Sequence, residues 1–377
     1  MKILVAPDSF KGSLSAIDVC RAIEEGIKSL CPDIEVITLP VADGGEGTLE
    51  AMSFATSGEL VKVFCTNPVG EKIESYYTIT GDGKTAIIEM AKAAGLYLIP
   101  QEKRNPYYTT TFGVGEIILD ALDKGCRNFI VGIGGSATND GGVGMLQALG
   151  FKFLDLNGNE IPWGGLALKD LAKIDISTGD SRLKECTFKV ACDVDNTLCG
   201  EKGASYVFGP QKGATFEMVK VLDTNLLHYA QIIERDLGKR VLEIKGGGAA
   251  GGIGTAFTAF LNAELVSGVE LILDSLNFSQ KLEGVDLVIT GEGQIDQQTA
   301  YGKVPMGVAK RAKAANIPVV ALVGSINGDI TKLYRLGLSA IFSVVNKPMT
   351  LEEAMDNAYN LVKETARSVM GLFSIKK

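Results

Sequence analysis

The sequence holds one histidine, His228, and one tryptophan, Trp163. The first scarcity excludes the most. A zinc site or a Ser-His-Asp triad would have to use that one residue, and it lies in the helix-like run Leu226-Leu227-His228-Tyr229-Ala230. Acid–base work therefore falls to carboxylates and lysines. Trp163 reads as packing rather than as a platform for an adenine. No run of about 18 apolar residues appears, so no membrane span is expected. Basic residues are in deficit: 37 Lys and Arg against 45 Asp and Glu give a net charge of −8. Nucleic acid binding normally shows the opposite balance. The seven cysteines contain no C-x-x-C pair and are odd in number, which fits a reducing, cytoplasmic compartment. The opening run Met1-Lys2-Ile3-Leu4-Val5-Ala6-Pro7-Asp8 reaches a proline and an acid too soon for a signal peptide and reads as a buried first strand.

What is present is a long chain with enough apolar residues for two cores. At 377 residues it exceeds the roughly 250–300 that one core normally serves. Strand-like runs at 2–6 and 35–41 alternate with helix-like runs at 17–30 and 47–55. The rhythm returns near the other end, with strands at 285–290, 318–323 and 340–345, and helices at 304–315, 329–336 and from Leu351 onward. On the first helix Ile17, Cys20, Ile23, Ile27 and Leu30 share one face, and Ser15–Asp18 and Thr350–Glu353 have the form of capping boxes. Strands alternating with helices imply parallel βαβ units. The middle differs, with alternating strands such as 75–80 and turn breakers such as Gly81-Asp82-Gly83. The expectation is an α/β protein of two domains. Residues 1–63 and 283–377 would form a doubly wound, Rossmann- or flavodoxin-like parallel sheet. Residues 64–282 would form an inserted second α/β domain, with the active site in the cleft between the two.

Five segments share one pattern, in which a buried-looking strand ends and an acid or hydroxyl meets small residues. They are Asp8-Ser9-Phe10-Lys11-Gly12, Asp43-Gly44-Gly45-Glu46-Gly47, Gly134-Gly135-Ser136 with Asn139-Asp140, Asp193-Val194-Asp195-Asn196, and Gly291-Glu292-Gly293-Gln294-Ile295-Asp296. In open α/β sheets ligands bind beyond the carboxyl ends of strands. Glycine there lets backbone N–H groups approach phosphate oxygens, and carboxylates at the same rim hold Mg²⁺ or accept a hydroxyl proton. Each segment alone is also ordinary turn chemistry, Lys11 alone is also a solvated loop lysine, and Ser9 and Ser136 alone are also turn caps. The glycine run 246–254 reads as close packing before a helical stretch at 255–262. Two familiar motifs fail. Gly83-Lys84-Thr85 ends like a P-loop, but Thr78 stands where its first glycine belongs. Gly132-Ile133-Gly134-Gly135-Ser136-Ala137 fits G-x-G-x-x-A only weakly, since polar residues follow where a helix should begin.

Taken in order, APDSFKGSLSA (6–16), ADGGEGT (42–48), GIGGSATNDGGVGMLQALG (132–150), ACDVDN (191–196), FGPQKGA (208–214), GGGAAGGIG (246–254) and TGEGQIDQQTAYGKVP (290–305) resemble the bacterial glycerate kinases of the first type. The likeness covers essentially the whole chain. It implies phosphoryl transfer from ATP to a hydroxyl of D-glycerate, assisted by Mg²⁺, between two α/β domains. On that footing Asp296 is the expected base, with Glu292 its rival. Asp43 and Asp193 are expected at metal or substrate hydroxyls. Lys11 and the 134–142 loop, with Gly134, Gly135, Ser136, Asn139 and Asp140, would hold carboxylate or phosphate. Lys303 would neutralise the transferring group, and Asp8, Ser9, Gly44, Gly45 and Glu46 would complete the binding surface. Asp193 and Lys11 join Asp296 as expected catalytic residues. A kinase for another small hydroxy acid, a nicotinamide-dependent oxidoreductase and a non-catalytic small-acid binder are the alternatives. ADP release with glycerate separates the last two from a kinase, because neither consumes ATP.

Overall fold

The computed structural model describes residues 1–45, 47–300 and 302–374. Thirteen strands occur among the described residues. They are β1 (Lys2–Val5), β2 (Glu35–Thr38), β3 (Glu59–Thr66), β4 (Lys72–Ile79), β5 (Thr85–Glu89), β6 (Asn128–Gly132), β7 (Lys152–Leu154), β8 (Lys173–Asp175), β9 (Thr187–Ala191), β10 (Glu264–Val266), β11 (Leu287–Ile295), β12 (Val319–Ile326) and β13 (Ala340–Ser343). The protein is a mixed α/β structure with two main sheets, each the centre of its own compact unit.

The first unit comprises Met1–Ser57 and the chain from Gly268 onward. Its five strands run in the order β13-β12-β11-β1-β2, and every neighbouring pair is parallel. Parallel neighbours need crossovers, and the helices Ala16–Leu30, Val304–Ala314 and Thr331–Leu336 supply them. Strands with both faces covered read as unbroken apolar runs, which is why 2–6 and 285–290 were legible. Helix Ala16–Leu30 buries Val19, Cys20, Ile23 and Ile27. Leu30 departs from the expected face and is 43% exposed. The contact moves to Gly26 instead, where an added Cβ would lie 2.2 Å from the Lys363 carbonyl oxygen of helix Ala358–Ser374. Ser15 caps the first helix, accepting from the Asp18 N–H at 3.1 Å. Thr350 and Glu353 form the reciprocal capping box. The single long helix expected from Leu351 is two, Leu351–Asp356 and Ala358–Ser374. They part at Asn357, whose side-chain amide donates to the Glu353 carbonyl at 2.8 Å and so competes with the backbone ladder.

The second unit, Gly58–Ser267, has the sheet order β10-β9-β6-β5-β4-β3. Its β10-β9-β6-β5 half is parallel, and β5-β4-β3 is an antiparallel meander. Phe129, Phe153, Phe188, Tyr229 and Phe257 fill its core. A small hairpin, β7 with β8, stands apart from both sheets. The chain changes unit at Ser57–Gly58 and Ser267–Gly268, not at 63–64 and 282–283 as expected. A boundary at 63 would cut β3, which pairs with β4 along its whole length from Glu59 to Thr66. Helix Gly268–Ser275 belongs with the first unit because Val269 lies against Gly307 of helix Val304–Ala314. Among the described residues no helix is long and apolar enough to cross a membrane.

Candidate active site

In the first unit, three segments deliver acids to the carboxyl ends of β1, β2 and β11. After β1 the Asp8 N–H donates to the Gly291 carbonyl at 2.9 Å, stitching the Asp8–Gly12 loop to β11. Asp8 is 7% exposed, and its Oδ1 accepts the Ser9 N–H at 2.6 Å. Burial, aided by the charges of Asp43 and Glu292, pushes its carboxyl up to about 7, while the Ser9 N–H and Lys11 oppose the rise. Asp43 accepts the Gly45 N–H at 3.0 Å and so shapes its own turn. Gly44 there has φ of +88°, a conformation that other residues rarely adopt. Glu46 lies outside the described residues.

The Gly291–Asp296 segment differs from expectation. It is not a glycine turn past a strand end, because β11 continues to Ile295, in register with β12 up to Ile326. Gly291 serves close approach: a Cβ there would meet the Leu322 carbonyl oxygen at 2.3 Å. Glu292 is thus a strand residue, 5% exposed. Its Oε1 accepts the Thr299 hydroxyl at 2.8 Å, and its Oε2 lies 3.5 Å from Lys303 Nζ. Burial raises its carboxyl above the usual range, with Asp296 adding to the rise, while Thr299 and Lys303 pull it back. Asp296 follows at the strand end, and its Oδ1 accepts the Thr299 N–H at 3.1 Å. Lys303 precedes the first residue of helix Val304–Ala314. The structure therefore gathers Asp8, Asp43, Glu292, Asp296, Lys11 and Lys303 in one charged neighbourhood.

The other expected residues belong to the second unit. Beyond β6, Gly134 and Gly135 are exposed and Ser136 is 6% exposed. Asn139 is fully buried and donates to Ser205 Oγ at 3.0 Å. Asp140 is 1% exposed. Its carboxylate accepts the Thr111 N–H and hydroxyl at 2.9 and 2.8 Å, and the Gly142 and Gly144 N–H groups at 3.1 and 3.2 Å. It pins the loop, and burial raises its carboxyl against those four donors. The next helix starts only at Val143, so no dinucleotide fingerprint is formed. Asp193 is exposed just beyond β9. The 246–254 run is packing: at Gly251 (φ +76°) a Cβ would stand 2.0 Å from the Thr138 carbonyl oxygen.

Other expectations resolve locally. Gly83-Lys84-Thr85 lies at the β4–β5 hairpin, where Asp82 accepts the Lys84 N–H at 2.8 Å. His228 Nε2 meets the Leu171 carbonyl at 2.7 Å, a structural contact. Trp163 packs on Phe112, with centroids 5.0 Å apart. Two residues escaped the sequence reading. Lys212, 1% exposed, donates to the Thr138 carbonyl at 2.7 Å. Thr299, fully buried, bridges Glu292 and Asp296. The spacing Asp296-Gln297-Gln298-Thr299 has the form of a reciprocal cap and was the available signal.

A metal-binding group of three or more His, Cys, Asp or Glu side chains does not occur among the described residues. Mg²⁺ that arrives on nucleotide phosphates keeps several waters and needs only one or two carboxylates. Burial, Asp43 and Glu292 oppose the ionisation of Asp8, an opposition that a bound cation would relieve.

Comparison with known proteins gives the family. The family model described as "Glycerate kinase family" matches residues 3–374. A protein of Escherichia coli (strain K12), "Glycerate 2-kinase", is 52% identical over 375 residues, which is 100% of this chain and 98% of that protein. A "Glycerate kinase" of Bacillus subtilis (strain 168) is 50% identical over 377 residues, 100% of this chain and 99% of its own. A crystal structure described as glycerate kinase 2 from Salmonella typhimurium LT2 is 51% identical, with a TM-score of 0.93 over 100% of this chain and 99% of that one. The chain belongs to the glycerate kinase family.

Proposed function

We propose that Asp296 is the general base in the phosphorylation of D-glycerate by ATP, with Lys303 facing the transferring phosphoryl group. The activity itself follows from family membership along the whole chain. One observation supports the roles: Glu292 holds Lys303 on one carboxylate oxygen and Thr299 on the other, next to Asp296 at the same strand end. Phosphoryl transfer needs positioning and charge neutralisation more than covalent help from the protein. A glycerate hydroxyl oxygen forms the new bond to the γ-phosphorus as the bond to ADP breaks, and the hydroxyl proton passes to the Asp296 carboxylate. Lys11 in the first unit is suited to glycerate carboxylate or nucleotide phosphate, and so, in the second unit, is the loop at the exposed residues Gly134 and Gly135. In the first unit Asp8 and Asp43 would hold Mg²⁺ or substrate hydroxyls, and the ion would supply charge neutralisation at the phosphates; Asp193 of the second unit is proposed for the same kind of contact. The name of the Escherichia coli relative favours the 2-hydroxyl as acceptor. The five-stranded unit is read as doubly wound, and the seven free thiols as those of a cytoplasmic protein.

The test is direct. Purified protein with ATP, Mg²⁺ and D-glycerate should release ADP and yield phosphoglycerate by mass spectrometry, and a chelator of divalent metal should stop it. Phosphorus NMR of the product distinguishes the 2- from the 3-phosphate. No phosphoglycerate at saturating substrates overturns the reading. Unchanged turnover after chelation removes Mg²⁺ from it.

A further inference from the structure

Thr299 sits between two acidic residues and bonds to both. Its side chain is fully buried, and its Oγ1 accepts the Asp296 N–H at 3.1 Å. A hydroxyl has a single proton. That proton is donated to Glu292 Oε1 at 2.8 Å. The Thr299 N–H returns a bond to Asp296 Oδ1 at 3.1 Å. The short helix Gln297–Ala300 is thereby closed reciprocally at its first turn. Glu292 Oε2 completes the chain of contacts at 3.5 Å from Lys303 Nζ.

We infer that Thr299 is a positioning residue for catalysis, its one hydroxyl fixing the Glu292 carboxylate that aims Lys303 and its amide fixing Asp296. The inference rests on the roles proposed above for Asp296 and Lys303. A valine at 299 would keep the shape and lose the donor, leaving one Glu292 oxygen buried without a partner. Loss of a partner by a buried group costs more than the net worth of the bond itself. Two consequences follow that a packing role alone would not produce. Lys303 loses its fixed counter-ion, so kcat falls while the KM values change less. Glu292 also becomes harder to ionise. Burial and Asp296 already push its carboxyl up, the charge of Glu292 also bears on Asp8, and of Thr299 and Lys303, which oppose the rise, only Lys303 is left. A reaction needing that carboxylate then loses activity at a higher pH on its acid side.

The experiment compares Thr299→Val, Thr299→Ser, Glu292→Gln, Asp296→Asn and the double variant Thr299→Val/Glu292→Gln, each by kcat, KM, pH profile and Tm. Expected are a fall in kcat of about tenfold or more for Thr299→Val, an acid limb moved to higher pH, and recovery to within about threefold in Thr299→Ser. In the Glu292→Gln background Thr299→Val should have a much smaller effect, since the two share one interaction. If Thr299→Val does not fold, Thr299→Ala replaces it in the same comparisons. Wild-type kcat and pH profile in Thr299→Val, alongside loss of activity in Glu292→Gln or Asp296→Asn, overturns the inference and leaves the site reading standing. Wild-type turnover in both acid variants overturns the site reading and this inference together.

Discussion

Lys212 Nζ donates to the Thr138 carbonyl at 2.7 Å, with the lysine 1% exposed and Thr138 fully buried. Burial pulls its ammonium down from 10.5 to about 7, and Asp140 opposes the fall. The folded state therefore binds this proton less well than the unfolded chain between about pH 7 and 10.5. Where the unfolded state binds more protons, stability rises with pH. The Tm of the native protein relative to Lys212→Met should accordingly increase as pH goes from 7 to 10, and be level below 7. Paired melting curves across that range check it, and a flat difference would show an undisturbed amine.

Asp8 reverses the sign. Its carboxyl is raised from 3.8 to about 7, so the folded state holds the proton more tightly and this group's contribution to stability falls as pH rises through that window. Asp8→Asn keeps an acceptor for the Ser9 N–H and removes the buried charge. Above pH 7 the variant should melt several degrees higher than the native protein while turning over more slowly. A lower Tm at pH 8 would show that burial does not oppose the Asp8 charge.

Gly134 and Gly251 separate two uses of glycine. An alanine Cβ at Gly251 would stand 2.0 Å from the Thr138 carbonyl oxygen, at φ +76°. Gly251→Ala should cost about 3 kcal/mol or more, or fail to fold. At Gly134 a Cβ meets nothing within 4 Å and the residue is exposed. Packing therefore gives no reason for glycine there. Gly134→Ala should keep its Tm and raise the KM for ATP or glycerate several-fold. Unchanged KM values would mean that no ligand approaches that backbone.

These contrasts show what the linear chain carries and what it hides. Apolar runs at 2–6 and 285–290 announce strands because both faces of a parallel sheet are covered, and Thr350–Glu353 announces its helix by local capping. The family motifs bring the acids of the first unit into view. Other features depend on neighbours far along the chain. Gly291 looks like a turn until the Leu322 carbonyl 2.3 Å from its missing Cβ shows a strand continuing. Lys212 in Gly209-Pro210-Gln211-Lys212-Gly213 carries no local sign of burial, and only the fold brings it to the Thr138 carbonyl. Asp140 looks like a ligand-binding acid beside glycines, yet its carboxylate ties its own loop to Thr111.

Asp140 and Asp296 make the decisive pair, because the same substitution should act on them in opposite ways. Asp140 accepts four hydrogen bonds, with donors on both carboxylate oxygens. Asparagine presents N–H₂ on one side, so at least one donor would face another donor in a fully buried site. Asp140→Asn should lose about 1–3 kcal/mol of stability per abandoned donor, and any fall in activity should follow the loss of folded protein. At Asp296 the Oδ1 that receives the Thr299 N–H survives as the amide oxygen of asparagine, so that bond of the turn is kept. What disappears is the capacity to take a proton. General base catalysis contributes about 10²–10⁴-fold, and Asp296→Asn should lower kcat within that range with a Tm close to that of the native protein and ATP and glycerate still bound. Calorimetry for binding and stability, set beside steady-state kinetics, measures both variants on one scale. Near-normal turnover in Asp296→Asn removes the base from this position and passes the role to Glu292, whose own Gln variant then becomes the deciding measurement.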